Sequence, residues 1–276
     1  MNRHQNLRCI GLAELRRFWF PVAGLLGLAM SGTLGGANSA PTVSPKQSAD
    51  AVAERENSRP VVLRYAPSVR ALRYHYTMDT TSTGLPDGGR GRSASGTTMT
   101  MTVTVTSVAP DRLQAALSCQ NVICLVGGRR RDVQFANETL AWEMRPNGEL
   151  TWVGARYGFD VEPLIHRLKD SPAQIGDSWT GPEFAIDRSP PPVTVLYRLD
   201  SIRSDGSVRC AFITWTAKAD WPSPGANGQF HVASRGQVVF DCDAGRIRTM
   251  ISQVDTEFRA KDRVIQQHVE QTMQLL

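Results

Sequence analysis

No G-x-S-x-G turn occurs in this chain, so a serine nucleophile on a strand–helix elbow has no anchor. No HExxH and no paired CxxC occurs either, so neither a zincin-type centre nor a zinc ribbon is written in it. No apolar run reaches the ~20 residues that a membrane-spanning helix needs. No basic stripe is interleaved with aromatics, and finger and helix-turn-helix spacings are missing, which excludes nucleic acid as a partner. Nothing calls for a cofactor.

What is present begins with a leader. Arg3, Arg8, Arg16 and Arg17 precede the apolar stretch Phe18–Met30, and small residues follow, among them Gly35, Gly36, Ala37, Ser39 and Ala40. This order predicts a signal peptide over 1–40, cut after Ala37 or Ser39, with Pro41 disfavouring a later cut. The protein is therefore expected outside the cytosol, in a bacterial periplasm or the extracellular space. Four of the 31 Lys and Arg residues and one of the 26 acids lie in the leader. That leaves 27 cations and 25 acids, a net charge near +2, so the basic character belongs mostly to the leader. Residues 41–59 hold Ala, Ser, Pro and charge with almost no large apolar side chain, which predicts a disordered linker.

From residue 60 onward, period-two alternation dominates. In the first β half (60–155), Leu72, Tyr74, Tyr76 and Met78 alternate with Arg73, His75, Thr77 and Asp79. Met99, Met101, Val103 and Val105 alternate with threonines. Gly84–Gly96, with Arg90 and Arg92, sits between strands and lacks the Lys-Ser/Thr ending of a phosphate loop, so it reads as a hairpin tip. Cys119–Arg131 reads as an irregular excursion ending in three arginines. Asn137-Glu138-Thr139 fits a glycosylation acceptor. Pro146-Asn147-Gly148 marks a hairpin turn between Thr139–Met144 and Leu150–Val153.

A connector (156–192) follows. Phe159, Leu164, Ile165 and Leu168 predict one short amphipathic helix, Val161–Lys169. The second β meander (193–276) has turn signals at Asp205-Gly206, Ala244-Gly245 and Lys261-Asp262. Gly236 is expected to mark a bulge. Arg263–Leu276 also fits a helical stripe, but its place after a hairpin signal favours a strand. Beyond the leader lie four cysteines: Cys119, Cys124, Cys210 and Cys242. In an oxidising compartment an even count predicts disulfides, as Cys119–Cys124 and Cys210–Cys242. A cross-strand bridge of this kind contributes ~2–4 kcal/mol.

The fold class expected is all-β with minor α. Curved antiparallel sheets would form an open barrel, or two half-barrel-like repeats, joined by the one short helix. Two echoes support a repeat. Ser107-Val108 precedes Asp111 as Ser201-Ile202 precedes Asp205, and Gly148 precedes Leu150 as Gly245 precedes Ile247. The order of the Pro146-Asn147-Gly148 hairpin, a short helix, Ile175-Gly176-Asp177-Ser178-Trp179 and a second meander resembles a family of bacterial exported proteins and lipoproteins of unknown function. The resemblance spans roughly Val61 to the end and implies location and fold rather than activity. The cysteine on which the lipoprotein members depend is missing at the corresponding place.

Catalytic candidates are sparse. His75, His166, His231 and His268 are scattered. Asp177 and Ser178 are neighbours that would point apart on a strand, and Asp160 and Glu162 suit a helix start. A hydrolase is thus the weakest reading. The apolar strand faces offer more. Tyr74, Tyr76, Met78, Met99, Met101 and Met250 should face inward, where thioethers suit varied apolar partners. They fit either plain core filling or a cleft for an apolar small molecule or lipid. The leading expectation is a non-catalytic exported binding protein. A structural or assembly module with an envelope partner is the alternative.

Overall fold

The computed structural model describes residues 59–68, 70–84, 93–131, 139–154, 165–183, 193–205, 207–222, 228–260 and 263–276. The leader, the linker, the Arg90–Arg92 loop and the glycosylation acceptor pattern lie wholly or mostly outside these residues.

Twelve strands form one antiparallel sheet. They are β1 (Leu72–Thr83), β2 (Ser93–Ala109), β3 (Arg112–Val126), β4 (Arg129–Arg131), β5 (Thr139–Met144), β6 (Leu150–Val153), β7 (Ser178–Glu183), β8 (Val193–Asp205), β9 (Val208–Pro222), β10 (Gly228–Asp241), β11 (Arg246–Ala260) and β12 (Arg263–Leu275). Their order is β6-β5-β3-β2-β1-β12-β11-β10-β9-β8-β7, with β4 paired to β3. Two meanders therefore cross the sheet in the same sense and meet where β1 pairs β12. The sheet is not closed into a barrel. Among the described residues its edge strands are the short β6 and β7, and β7 carries Pro182, a residue tolerated on an edge because it has no N–H to donate.

The sheet curls. Trp142 and Met144 of β5 line the same small cavity as Ile247 of β11, although four strands separate β5 from β11 in the sheet. The concave face buries Tyr74, Met101, Leu117, Trp142, Tyr197 and Phe240 in one apolar core. No second sheet covers it among the described residues. Two straps of irregular chain do, residues 59–68 and 165–177. They pair with each other at Val61 and Ala173 through two 2.8 Å backbone hydrogen bonds. They also tie to turns at the sheet's end, where Tyr65 N–H donates to Pro146 O at 2.6 Å and Ala66 N–H to Gly245 O at 3.0 Å. Val61, Leu63, Leu168 and Ala173 are buried beneath them.

The expected helix over Val161–Lys169 is corrected here. Residues 165–169 are irregular chain, and the rest of that stretch lies outside the described residues. Backbone groups of the strap bond outward instead: Leu168 N–H donates to Asn147 O, and Arg167 O accepts the Trp179 indole N–H. The ambiguous last segment is strand β12.

Register shifts set which side chains face inward, and of the five among the described strands three lie within the long strands of the core. Asn121, with a φ of 53°, lies in the shift between β2 and β3 at Thr98/Thr100. Others fall between Leu199 and Ser201 on β8, and opposite Val239/Phe240, where β11 carries the extra residue Arg248. An extra residue reverses the inward–outward phase beyond it. Gly236, where a bulge was expected, sits in regular register between Trp215 and Ser252. Its role is space. A Cβ there would lie 2.4 Å from Ile251 O and 2.7 Å from the Trp215 indole.

The four cysteines are unbonded, against expectation. Cys119 and Cys124 share the extended strand β3 rather than an irregular loop. Five residues of strand hold their Cα atoms about 15 Å apart, and a disulfide needs less than about 7 Å. Cys210 lies next to core-facing Ala211 and points to the opposite, convex face, where Arg248 Nη1 is 3.5 Å from its sulfur. Cys242 packs against the core. Burial pushes the Cys119 and Cys242 thiols up to about 11, so both stay protonated at neutral pH.

Gly236→Ala should destabilise the fold by about 1–3 kcal/mol through overpacking against Trp215. Urea denaturation followed by tryptophan fluorescence reads this; an unchanged midpoint would show that the close approach at Gly236 is not tight.

Candidate functional site

The six residues expected to face inward do so, and register gathers them. Met250 of β11 pairs with Met273 of β12, Met273 with Tyr76 of β1, and Tyr76 with Met99 of β2. Tyr74 pairs with Met101 one row away, and Met78 with Gln271 on the other side. All six are buried, at 6% exposure or less. They form one continuous apolar patch across four strands, on the concave face. Tyr74 is the member that also lines a described cavity.

The patch contains a buried polar line. Gln271 Nε2 donates to Tyr76 Oη at 2.9 Å, Ser252 Oγ donates to Gln271 Oε1 at 3.1 Å, and Tyr76 Oη lies 3.7 Å from Met78 Sδ. Tyr74 Oη donates to Ile247 O at 3.0 Å. Burial raises both phenols well above their ordinary range, so they act as neutral hydrogen-bonding groups. Gln271 and Met273 belong to this patch and were not singled out from sequence. Strand alternation from Ile265 through Val269 would have placed both on the inner face.

His166 is the strap's contribution. It is 2% exposed, and its ring lies 5.7 Å from Trp215 and 6.0 Å from Tyr197, centroid to centroid. Nε2 is 3.2 Å from Met250 Sδ. A thioether cannot donate, so that contact assigns the hydrogen to Nε2 and leaves Nδ1 as an acceptor. Neither Nδ1 nor the Trp215 Nε1–H has a partner among the described residues. Burial pushes the imidazole down to about 4.

The sequence neighbours of His166 are otherwise engaged. Asp177 accepts from Lys169 Nζ at 2.6 Å and from Gln174 N–H at 2.8 Å, which closes the turn at Gly176, whose φ is 91°. Its carboxyl is held low mainly by the Lys169 hydrogen bond. Ser178 opens β7. His166 and Asp177 are thus not brought together.

On the convex face His231 and His268 join charge rows across strands. His231 bonds Asp220, and His268 bridges Asp255, 2.6 Å from Nδ1, and Glu270, 3.2 Å from Nε2. The Asp255 hydrogen bond is the main cause holding the His268 imidazole above its ordinary value. An open polar groove of about 710 Å³ runs over these rows. His75 is exposed on β1.

At the sheet end where β1 and β11 begin, a second open groove of about 690 Å³ passes Arg70, Arg73, Asp243 and Arg246. Behind it an apolar notch of about 50 Å³ is lined by Tyr65, Tyr74, Trp142, Met144 and Met273.

The architecture can be placed among solved structures. It is similar in fold to lipovitellin. The solved structure concerned describes lipid–protein interactions in lipovitellin; the match has a TM-score of 0.50 and 12% identity, and covers 77% of this chain. This chain spans 25% of that one. No family model matches the chain, and no curated protein matches it.

The buried imidazole predicts a pH dependence. The folded value, about 4, lies below the ordinary 6.5. Above pH 6.5 both folded and unfolded states hold neutral His166, and its contribution to stability is complete. As pH falls from 6.5 to 4 the unfolded state gains a proton that the folded state refuses, so up to roughly 3 kcal/mol is lost. Half-exposed His268, raised instead of lowered, acts with the opposite sign and weakly. Urea midpoints between pH 7 and 4 should fall for the wild type and flatten for His166→Leu; equal slopes in both proteins would remove His166 as the cause.

Proposed function

We propose that this is a non-catalytic exported envelope protein that binds an apolar ligand, a lipid or similar small molecule, on the concave face of its sheet. One observation carries the reading. Among the described residues the Tyr76–Met99–Met250–Met273 patch is met by irregular chain, His166 of the second strap lying on Met250, and by no second layer of sheet. Straps hold to the sheet ends through a few backbone hydrogen bonds, and such segments open at lower free energy than paired strands. Methionines reshape around varied apolar partners once a strap withdraws. The likeness in fold to lipovitellin agrees with this reading. The predicted leader supplies the export step.

A second reading, an assembly module paired with an envelope partner, draws on edge strand β6. Its Trp152 is 50% exposed beside backbone groups that a partner strand could take up. Loss of partners in pulldowns on changing Trp152→Ser would favour it.

Native mass spectrometry of protein purified from its own host should show a co-purified lipid. The delipidated protein should take up an apolar fluorescent dye, with fluorescence transferred from Trp215. Absence of both lipid and dye uptake would end the carrier reading. Leu63→Asp, which places a charge under the first strap, should alter dye uptake more than Ile251→Asp on the convex face.

A further inference from the structure

The groove beside Arg246 has a chemistry of its own. The lining side chains include three guanidinium groups, Arg70, Arg73 and Arg246, and one side-chain carboxylate, Asp243, while Asp241 pairs with Arg246 from behind. Arg70 and Arg73 are exposed, and neither has a carboxylate partner among the described residues. Asp243 Oδ2 already accepts the Arg209 backbone N–H at 3.2 Å. The groove is thus a cationic mouth.

The mouth opens onto apolar surface. Groove and notch share Ala66, Leu72 and Arg246 as walls, so the charged rim and the apolar throat are continuous. Arg246 stands at the junction. Its Nε is buried and makes no hydrogen bond of sound geometry; the nearest carboxylate oxygen, Asp241 Oδ2, lies 3.4 Å away as an ion pair only. The other Asp241 oxygen is engaged by the Ala244 N–H at 2.8 Å and the Asp243 N–H at 3.2 Å. A buried donor left unanswered costs free energy that an incoming acceptor recovers.

We infer that this end of the sheet selects an anionic amphiphile, with a carboxylate or phosphate head at Arg70, Arg73 and Arg246 and an acyl chain entering between Tyr65 and Leu72. The inference rests on the apolar-ligand reading above and adds the ligand's charge and the place of entry. The groove has the volume of an ordinary ligand site, about 300–1,000 Å³. The throat, about 50 Å³, admits the start of a chain. It widens if the first strap withdraws, and that strap is its wall: Tyr65 and Ala66 are held there by their bonds to Pro146 and Gly245. Guanidinium groups suit both head chemistries because their paired N–H groups match two oxygens at once.

The test compares three probes sharing one long alkyl chain: the fatty acid, the alkyl phosphate and the primary alcohol. Each displaces an apolar dye from the full mature protein, at a pH where both acids are ionised. The fatty acid, the phosphate or both should compete about tenfold better than the alcohol, and salt should weaken that preference. Which acid is preferred identifies the head. Arg73→Gln with Arg70→Gln, both at exposed positions, should erase most of the preference. Arg246→Gln should erase the rest if the variant folds. Equal competition by acid and alcohol, or a preference that survives the double variant, overturns the charge assignment while the apolar-ligand reading stands. Failure of all three probes overturns both.

Discussion

The pairing of β1 with β12 is the constraint on which the remaining structure depends. The first and last strands run side by side for ten residue pairs, from Tyr74 opposite Leu275 to Thr83 opposite Gln266. Without it there would be two meanders, each with a bare edge and half a hydrophobic face. With it, Tyr76 and Met99 of one meander lie beside Met273 and Met250 of the other, and a single concave core results. The pairing joins chain segments nearly two hundred residues apart, from Thr77 to Thr272, whose hydroxyls meet at 2.7 Å. Closing so long a loop costs entropy that grows only slowly with length, so the seam is affordable thermodynamically but slow to find.

Polar groups at the seam give it a fixed register. Gln271 reaches Tyr76 across the junction and Ser252 within its own meander. A slip by one residue would turn Gln271, Val269 and Met273 to solvent and strand the Tyr76 hydroxyl in the core. The same seam positions the surfaces at issue for function. Its inner side is the methionine patch, and its end, at Leu72 and Leu275, is a wall of the arginine-lined groove. The straps then close the concave face by irregular chain, which leaves a core able to part without breaking the ladder.

Much of this was legible in the residues. Alternation alone marked β1, β2 and β8, because each has one wet and one dry face; β12, which also fits a helical stripe, was marked by the hairpin signal before it. The six inward residues followed from the same alternation. What could not be read was adjacency, since nothing in Tyr76 or Met250 says that β1 and β12 are neighbours. Bulges were equally silent. Asn121, tolerant of positive φ, offers a faint cue, but Asp200 and Arg248 look like ordinary strand residues. The disulfide expectation failed on phase. β9 is apolar on both sides, and Cys210 is buried on the convex face beneath Arg248, which pairs with Asp205 at 2.7 Å. The Arg246 groove was missed because its arginines come from separate stretches that only the fold unites. The helix expectation misread Ile165 and Leu168, whose spacing fits one helical face but whose partners are the sheet core.

Amide hydrogen exchange resolved by segment tests the seam directly. Amides of 74–82 and 266–275 should be among the slowest in the protein and should exchange together with β2 and β11, as one cooperative unit. Fast exchange in β1 and β12 while β2–β3 and β9–β10 stay protected would mean two independent meanders, and the shared concave face would not exist.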